Sequence, residues 1–389
     1  MVRQKYFISA FFLILSTALV ISCASQPVTQ PEDPYPSSER TENELEEPKE
    51  LKESRESKEP GESKEPFELA LWNIKKNTPL FKKYFEGGTA IVSGPGIKAA
   101  NDILVKGECL IDGQKFRVTY DLAGANQNGE GFFSVSFFLE DLTNGIFYSD
   151  SLIWNPMDDE AGLLLSFDDN SWSTWYRYFE MFDYYGAKVT FFVQGKLRPE
   201  DLRKPSSDSL LGLKKRGLAD FCVEARSRGH DLGFHSVNHP DLTKVSRDTF
   251  HFETIKSAEV FSAAGISFSA FAFPFGFSQP WMRETLLSFF PLTRGYGANI
   301  RFYNPETISG GYIVSKAIDN ILYPDDSKFE NDIRLILLAA KFTGSYIVPF
   351  TTHDISDTAQ WGIKPQRLEY LLKTARELKL KFYTYRLIP

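Results

Sequence analysis

From about Met157 onward, short apolar runs alternate with longer stretches in which apolar residues recur every three or four positions. The runs GLLLSF, KVTFFV, HDLGF, SAFAF, YIVSKAI, SYIVPF and LKFYTYRL read as strands, since a continuous short apolar run suits a strand covered on both faces. Between them, STWYRYFEMFDYYG, LADFCVEARSRG, SRDTFHFETIKSAEVFSAAG, FENDIRLILLAAKFTG and PQRLEYLLKTARELK read as helices, several closed by a glycine suited to a C-terminal cap. This alternation predicts an α/β fold with a parallel sheet, and about seven repeats predict a (β/α) barrel over residues 157–389.

Upstream the rhythm differs. Residues 67–156 hold TAIVSG, DILVKGECLI, QKFRVTYDLA, GFFSVSFFLEDL and GIFYSDSLIW, rich in β-branched and aromatic residues and punctuated by Gly, Asn and Asp. They predict a small all-β domain, a sandwich or an open sheet of about five strands. It contains no histidine and no recognisable catalytic group.

Further upstream the composition excludes a packed core. Residues 23–66 are rich in Glu, Lys, Ser and Pro and cannot bury enough apolar surface to offset their ordering entropy, so they read as a disordered acidic tether. As a coil, such a segment spans on the order of 35–40 Å. The chain carries a formal net charge of −7, and the tether accounts for it. The folded part is therefore close to neutral, and no basic patch points to nucleic acid. Residues 1–22 pair Arg3 and Lys5 with the apolar run YFISAFFLILSTALVI, the pattern of an export signal. The VISC sequence ending at Cys23 is similar to a bacterial lipobox, which implies a lipid-anchored, exported protein of the cell envelope, held to the membrane through acylated Cys23. Cys109 and Cys222 fall in different predicted domains and read as free thiols.

Chemistry collects where the predicted strands end. GLLLSF runs into Asp168 and Asp169, HDLGF into His235 and His239, SAFAF into PFGF, and SYIVPFTT into His353. In a (β/α) barrel the C-terminal strand ends carry function. Two imidazoles and one carboxylate make a three-ligand metal site with an open position. A second carboxylate can take a proton from water, and a histidine opposite can protonate a leaving amine. Adjacent strand residues point in different directions, so one aspartate can serve the metal and the other the reacting water.

With these residues together, residues 160–385 resemble the polysaccharide deacetylases, the NodB-homology domain of carbohydrate esterase family 4. SFDDN resembles the first motif of that family, VTFFV the strand after it, HSVNHPDL the H-[ST]-x-x-H-P motif, FAFPFG the third motif and IVPFTTHD the last. The resemblance implies a distorted barrel, Asp168 as general base, Asp169, His235 and His239 as ligands of zinc or another divalent metal, and His353 as general acid. It also implies that the backbone N–H of Phe275 binds the oxyanion. The implied reaction removes N-acetyl groups from an N-acetylglucosamine polymer, either exopolysaccharide or peptidoglycan, and releases acetate.

Two departures stand out. The arginine expected in the third motif, which pairs with the base, is replaced by Ala272, a variant that resembles poly-N-acetylglucosamine deacetylases. The fourth motif is missing, and Asp319 is the candidate for orienting His353. These gaps leave open a carbohydrate-binding lipoprotein that keeps the fold without turnover, or a deacetylase of peptidoglycan or a non-sugar amide. His230 and His251 read as structural, while Trp172 and Trp361 are placed to line a groove.

Overall fold

The computed structural model describes residues 90–91, 97–111, 114–129, 131–145, 147–156, 158–195, 217–305 and 308–388. The predicted export signal, Cys23, the predicted tether and the start of the predicted β-domain lie outside the described residues. Among those described, no helix is long and apolar enough to cross a membrane.

Five antiparallel strands come first, paired in chain order: β1 (Ala90–Ile91), β2 (Val105–Ile111), β3 (Gln114–Gln127), β4 (Phe133–Asp141) and β5 (Phe147–Trp154). β4 alternates buried and exposed positions, as a sheet with one covered face requires. Its covered face packs on a helix of the following fold. Tyr120 and Trp154 place their rings 4.8 and 5.0 Å from Phe342, and Arg334 donates to the Ala125 carbonyl at 2.6 Å.

The rest is a closed parallel barrel. Its strands are β6 (Gly162–Asp169), β7 (Thr190–Val193), β8 (Asp231–Phe234), β9 (Ala270–Ala272), β10 (Leu292–Gly297), β11 (Tyr312–Ala317) and β12 (Ile347–Thr352), and β12 pairs back onto β6. A two-stranded ladder, β13 (Asp354–Ile355) and β14 (Gly362–Ile363), follows His353. The last strand, β15 (Lys381–Tyr383), pairs with the first half of β6, while β7 pairs with its second half. The ring therefore closes through seven strands, with β15 set in beside β6. The helices are α1 (Trp172–Trp175), α2 (Phe179–Tyr185), α3 (Leu218–Ser227), α4 (Arg247–His251), α5 (Ser257–Ala263), α6 (Pro280–Leu287), α7 (Asp326–Thr343) and α8 (Pro365–Glu377).

Six of the seven sequence-predicted strands lie in the ring. LKFYTYRL forms the inset β15 instead, and the seventh ring strand, β10, was not anticipated. Its sequence LTRGYG carries two glycines and an arginine and lacks an apolar run. Gly295 is required there: a Cβ would lie 2.2 Å from the Tyr312 hydroxyl and 2.9 Å from the Gly276 carbonyl oxygen.

Alternation sorts the side chains. Leu164, Ala270, Ala272 and Leu292 fill the barrel interior with Phe192 and Tyr385. Leu163, Leu165 and Phe167 face the helix layer, where Phe167 meets Phe182 and Trp175. Burying such side chains stabilises a fold by about 1.5–3 kcal/mol each.

Candidate active site

The two aspartates end β6. Asp168 continues the inward set begun by Leu164 and Ser166 and is fully buried. Simple alternation would send Asp169 outward after Phe167. Instead its backbone takes a φ of 80°, which brings its carboxylate to the mouth of the barrel beside two histidines. Among the described residues, four of the five non-glycine positive-φ positions belong to this mouth: Asp169, Ser236, His239 and Phe275. Such conformations cost on the order of 1–3 kcal/mol each and persist where surrounding structure enforces them.

His235 follows β8 directly, and His239 closes the turn after it. The Nε2 atoms of His235 and His239 each lie 3.5 Å from Asp169 Oδ1. The three donors lie within 4.8 Å of one another. In a tetrahedral site with bonds of about 2.0–2.1 Å, donors sit roughly 3.3–3.4 Å apart, so the two imidazole–carboxylate separations suit a shared divalent ion. Supporting contacts agree. His235 Nδ1 lies 2.9 Å from the Ala272 carbonyl oxygen, which fixes Nε2 as the free lone pair. Gln194 Nε2 donates to Asp169 Oδ1 at 2.7 Å. Burial holds both imidazoles below their ordinary pKa, His239 at about 4, despite the nearby aspartates. Neutral imidazoles are the form that ligates metal.

Asp168 meets a cation from the unanticipated strand. Arg294, also fully buried, donates from Nη2 to Asp168 Oδ2 and from Nη1 to Ser315 Oγ at 3.4 Å. Burial pushes the Asp168 carboxyl up, but Arg294, together with His235 and His353, outweighs it and holds the group below the usual carboxylate range. Arg294 is the register partner of Ala272. The arginine expected at position 272 thus comes from the adjacent strand at the same level, and the small Ala272 leaves it room. Asp168 Oδ1 is buried without a hydrogen-bond partner, one acceptor not committed to the fold.

His353 follows β12. Its Nδ1 lies 3.0 Å from Asp319 Oδ1, an oxygen that also accepts from Thr352 Oγ1 at 2.8 Å. Burial would lower its pKa, yet Asp319, by hydrogen bond and charge, with Asp168 and Asp169 beyond, raises it to about 9. At neutral pH it is an imidazolium. Trp175 Nε1 donates to the His353 carbonyl at 2.7 Å. The half-exposed Trp361 stands edge-on to the His353 ring at 5.8 Å, whereas Trp172 packs partly buried against the core.

Phe275 follows β9 with a φ of 57°, and its ring meets His239 at 4.6 Å. All six residues expected at the site (Asp168, Asp169, His235, His239, Phe275, His353) thus lie at the C-terminal mouth. Sequence reading missed Arg294 and Gln194. Arg294 had one signal, a lone arginine at an inward position of a strand, but that strand lacked the apolar run that would have disclosed it.

Residues 157–288 match the family model described as Polysaccharide deacetylase, so the resemblance read from the motifs holds over that stretch. No match was found among curated proteins. Similar solved structures include peptidoglycan deacetylase PdaC from Bacillus subtilis, at 14% identity and a TM-score of 0.34, covering 59% of this chain and 90% of that one. A family 4 carbohydrate esterase from Streptomyces lividans in complex with acetate matches at 14% identity and a TM-score of 0.37, covering 58% and 92%. The chitin deacetylase of the fungal pathogen Colletotrichum lindemuthianum matches at 16% identity and a TM-score of 0.38, covering 58% and 86%.

Proposed function

We propose that this chain is a metal-dependent polysaccharide N-deacetylase acting on an N-acetylglucosamine polymer. One observation carries the reading. A shielded carboxylate, a three-donor metal set and a charged histidine converge at one barrel mouth from the ends of β6, β8 and β12. These are the parts that amide hydrolysis by water requires.

Asp169, His235 and His239 would hold zinc, which supplies a Lewis acid that polarises the acetyl carbonyl and makes the attacking water more acidic. Asp168, kept ionised by Arg294, accepts the proton of the water as its oxygen bonds to the carbonyl carbon. The backbone N–H of Phe275 serves as donor to the developing oxyanion. As the carbon–nitrogen bond breaks, His353, oriented and charged by Asp319, gives its proton to the departing amine. The products are acetate and a free amino sugar. Exposed Phe275 and Phe277, near-parallel at 6.3 Å, stand on the metal side of the mouth, and Trp361 stands by His353. Two aromatic rims on an open mouth suit the faces of successive sugar rings.

Poly-N-acetylglucosamine is favoured as the polymer by the FAFPFG variant, with peptidoglycan the second choice. Acylated Cys23 and the tether of residues 23–66 would hold the barrel at the bacterial envelope, within reach of such material. A binding-only barrel is the reading that the missing third-motif arginine and the missing fourth motif suggest; the pairing of Arg294 with Asp168 and of Asp319 with His353 speaks for turnover instead. Substituting Asp168→Asn should cut acetate release by about 10²–10⁴-fold while metal content stays at the wild-type level. Normal turnover in that variant would sink the role given to Asp168.

A further inference from the structure

The turn between the two histidines is held by one acidic side chain from outside it. Glu253, only 4% exposed, accepts from the Val237 N–H at 3.0 Å and the Asn238 N–H at 2.8 Å through Oε2, and from Asn238 Nδ2 at 2.7 Å through Oε1. The turn needs such support. Ser236 and His239 both have a positive φ, and a backbone in that state exposes N–H groups that neither a strand nor a helix pairs. Inside the turn, Ser236 Oγ accepts from the His239 N–H at 3.0 Å. The hydrogen bonds of Val237 and Asn238 themselves, among the described residues, end on Glu253.

Glu253 sits in a local irregularity. Residues Phe252–Lys256 form one wide turn of π-helix between α4 and α5. Thr254 Oγ1 donates to the Phe250 carbonyl at 2.7 Å, and Ser257 Oγ to the Phe252 carbonyl at 2.5 Å, so side-chain hydroxyls occupy carbonyls along the disturbed ladder. Such bulges rotate the following residues on the helix and recur at functional sites. Here the bulge contains the buried carboxylate that, among the described residues, accepts from residues 237 and 238 of the histidine turn.

We infer that Glu253 is a positioning residue for the metal centre. By clamping residues 237 and 238 it sets the spacing and angle of His235 and His239, whose ring centroids lie 4.9 Å apart. This rests on the metal reading proposed above. A carboxylate suits the task because it accepts three hydrogen bonds at once and each is strengthened by its charge.

The test is zinc affinity of the full-length, metal-stripped protein, measured by competition with a chromophoric chelator, with the folded fraction followed by circular dichroism. Glu253→Ala should weaken zinc binding about 10–100-fold, the range seen when outer partners of metal ligands are removed. Glu253→Gln should recover most of that loss, because its carbonyl oxygen can accept both N–H groups while its amide meets a flipped Asn238. Glu253→Asp, too short to reach the turn, should weaken binding despite keeping the charge, and it serves if the alanine variant does not fold. Phe250→Leu, in the core of the same helix, should lower thermal stability and leave affinity unchanged. Wild-type affinity in folded Glu253→Ala or Glu253→Asp would overturn the inference, as would an equal loss in Phe250→Leu. Wild-type protein that binds no zinc would instead overturn the metal reading, and this inference with it.

Discussion

Strand β8 has a histidine at each end, and the two do opposite things. His230 precedes the strand and His235 follows it; both are buried. His230 lies among Phe179, Phe182 and Phe191, with ring centroids 5.2–5.5 Å away, and its Nδ1 accepts the Val189 N–H at 3.3 Å. Burial, with Lys188 nearby, drives its pKa down to about 3, so it is a neutral, space-filling ring. His235 turns Nδ1 to a carbonyl oxygen and aims Nε2 at two aspartates. The aspartates contrast in the same way. Asp231, beside His230, is bonded by Ser269 Oγ and the Arg386 N–H, and burial raises its pKa. Asp168 faces a buried guanidinium and is held ionised. At one end of the barrel burial favours the neutral form of both groups. The other gathers charge from several strands and keeps it. Residue type alone does not distinguish function from structure; the strand end does.

The sharpest way to break this contrast is to remove each histidine in turn. His235→Ala should abolish metal binding and reduce acetate release to background. His230→Ala should destabilise the fold by about 2–4 kcal/mol, as cavity formation in a packed core does, yet leave metal stoichiometry intact in the folded fraction. Metal titration and thermal melting of both variants read the difference, and equal metal loss in the two would erase it.

The next effect concerns Arg294. Arg294→Met leaves Asp168 buried without its cation, which should cost about 3–5 kcal/mol of stability. It should also let the carboxyl take up a proton, cutting turnover severely near neutral pH. The double variant Asp168→Asn/Arg294→Met should regain stability but not activity. A fully active Arg294→Met would mean that Asp168 needs no shielding.

The smallest effect is a shift along the pH axis. His353 is protonated below about 9, so the proton donation proposed for it should persist up to that pH and fade as pH rises through it. Asp319→Asn removes the largest influence raising that pKa and should move the alkaline limb of the pH–rate profile to lower pH. An unmoved limb would detach His353 from proton donation.

Much of the mouth was legible because motif residues adjoin apolar runs: Asp168 and Asp169 end GLLLSF, and His235 ends HDLGF. Local pattern sufficed for those strands. What stayed hidden was created by register between distant segments. Arg294 meets Asp168 across 126 residues, and it sits in a strand where Gly295 makes room for its neighbours and the two glycines erase the apolar signal. Gln194 and Glu253 are unremarkable polar residues until the fold carries them to Asp169 and to the histidine turn. Asp319 could be singled out only as a candidate, because the sequence shows which carboxylates follow strands and not which histidine each one faces.

The most direct test of the whole account is acetate release from N-acetylglucosamine oligomers by the purified protein, assayed as isolated, after chelation, and after zinc is returned. The account predicts release that falls to background on chelation and recovers with about one equivalent of zinc per chain. Release that is indifferent to chelation, or metal bound at Asp169, His235 and His239 with no release from any oligomer, would contradict it.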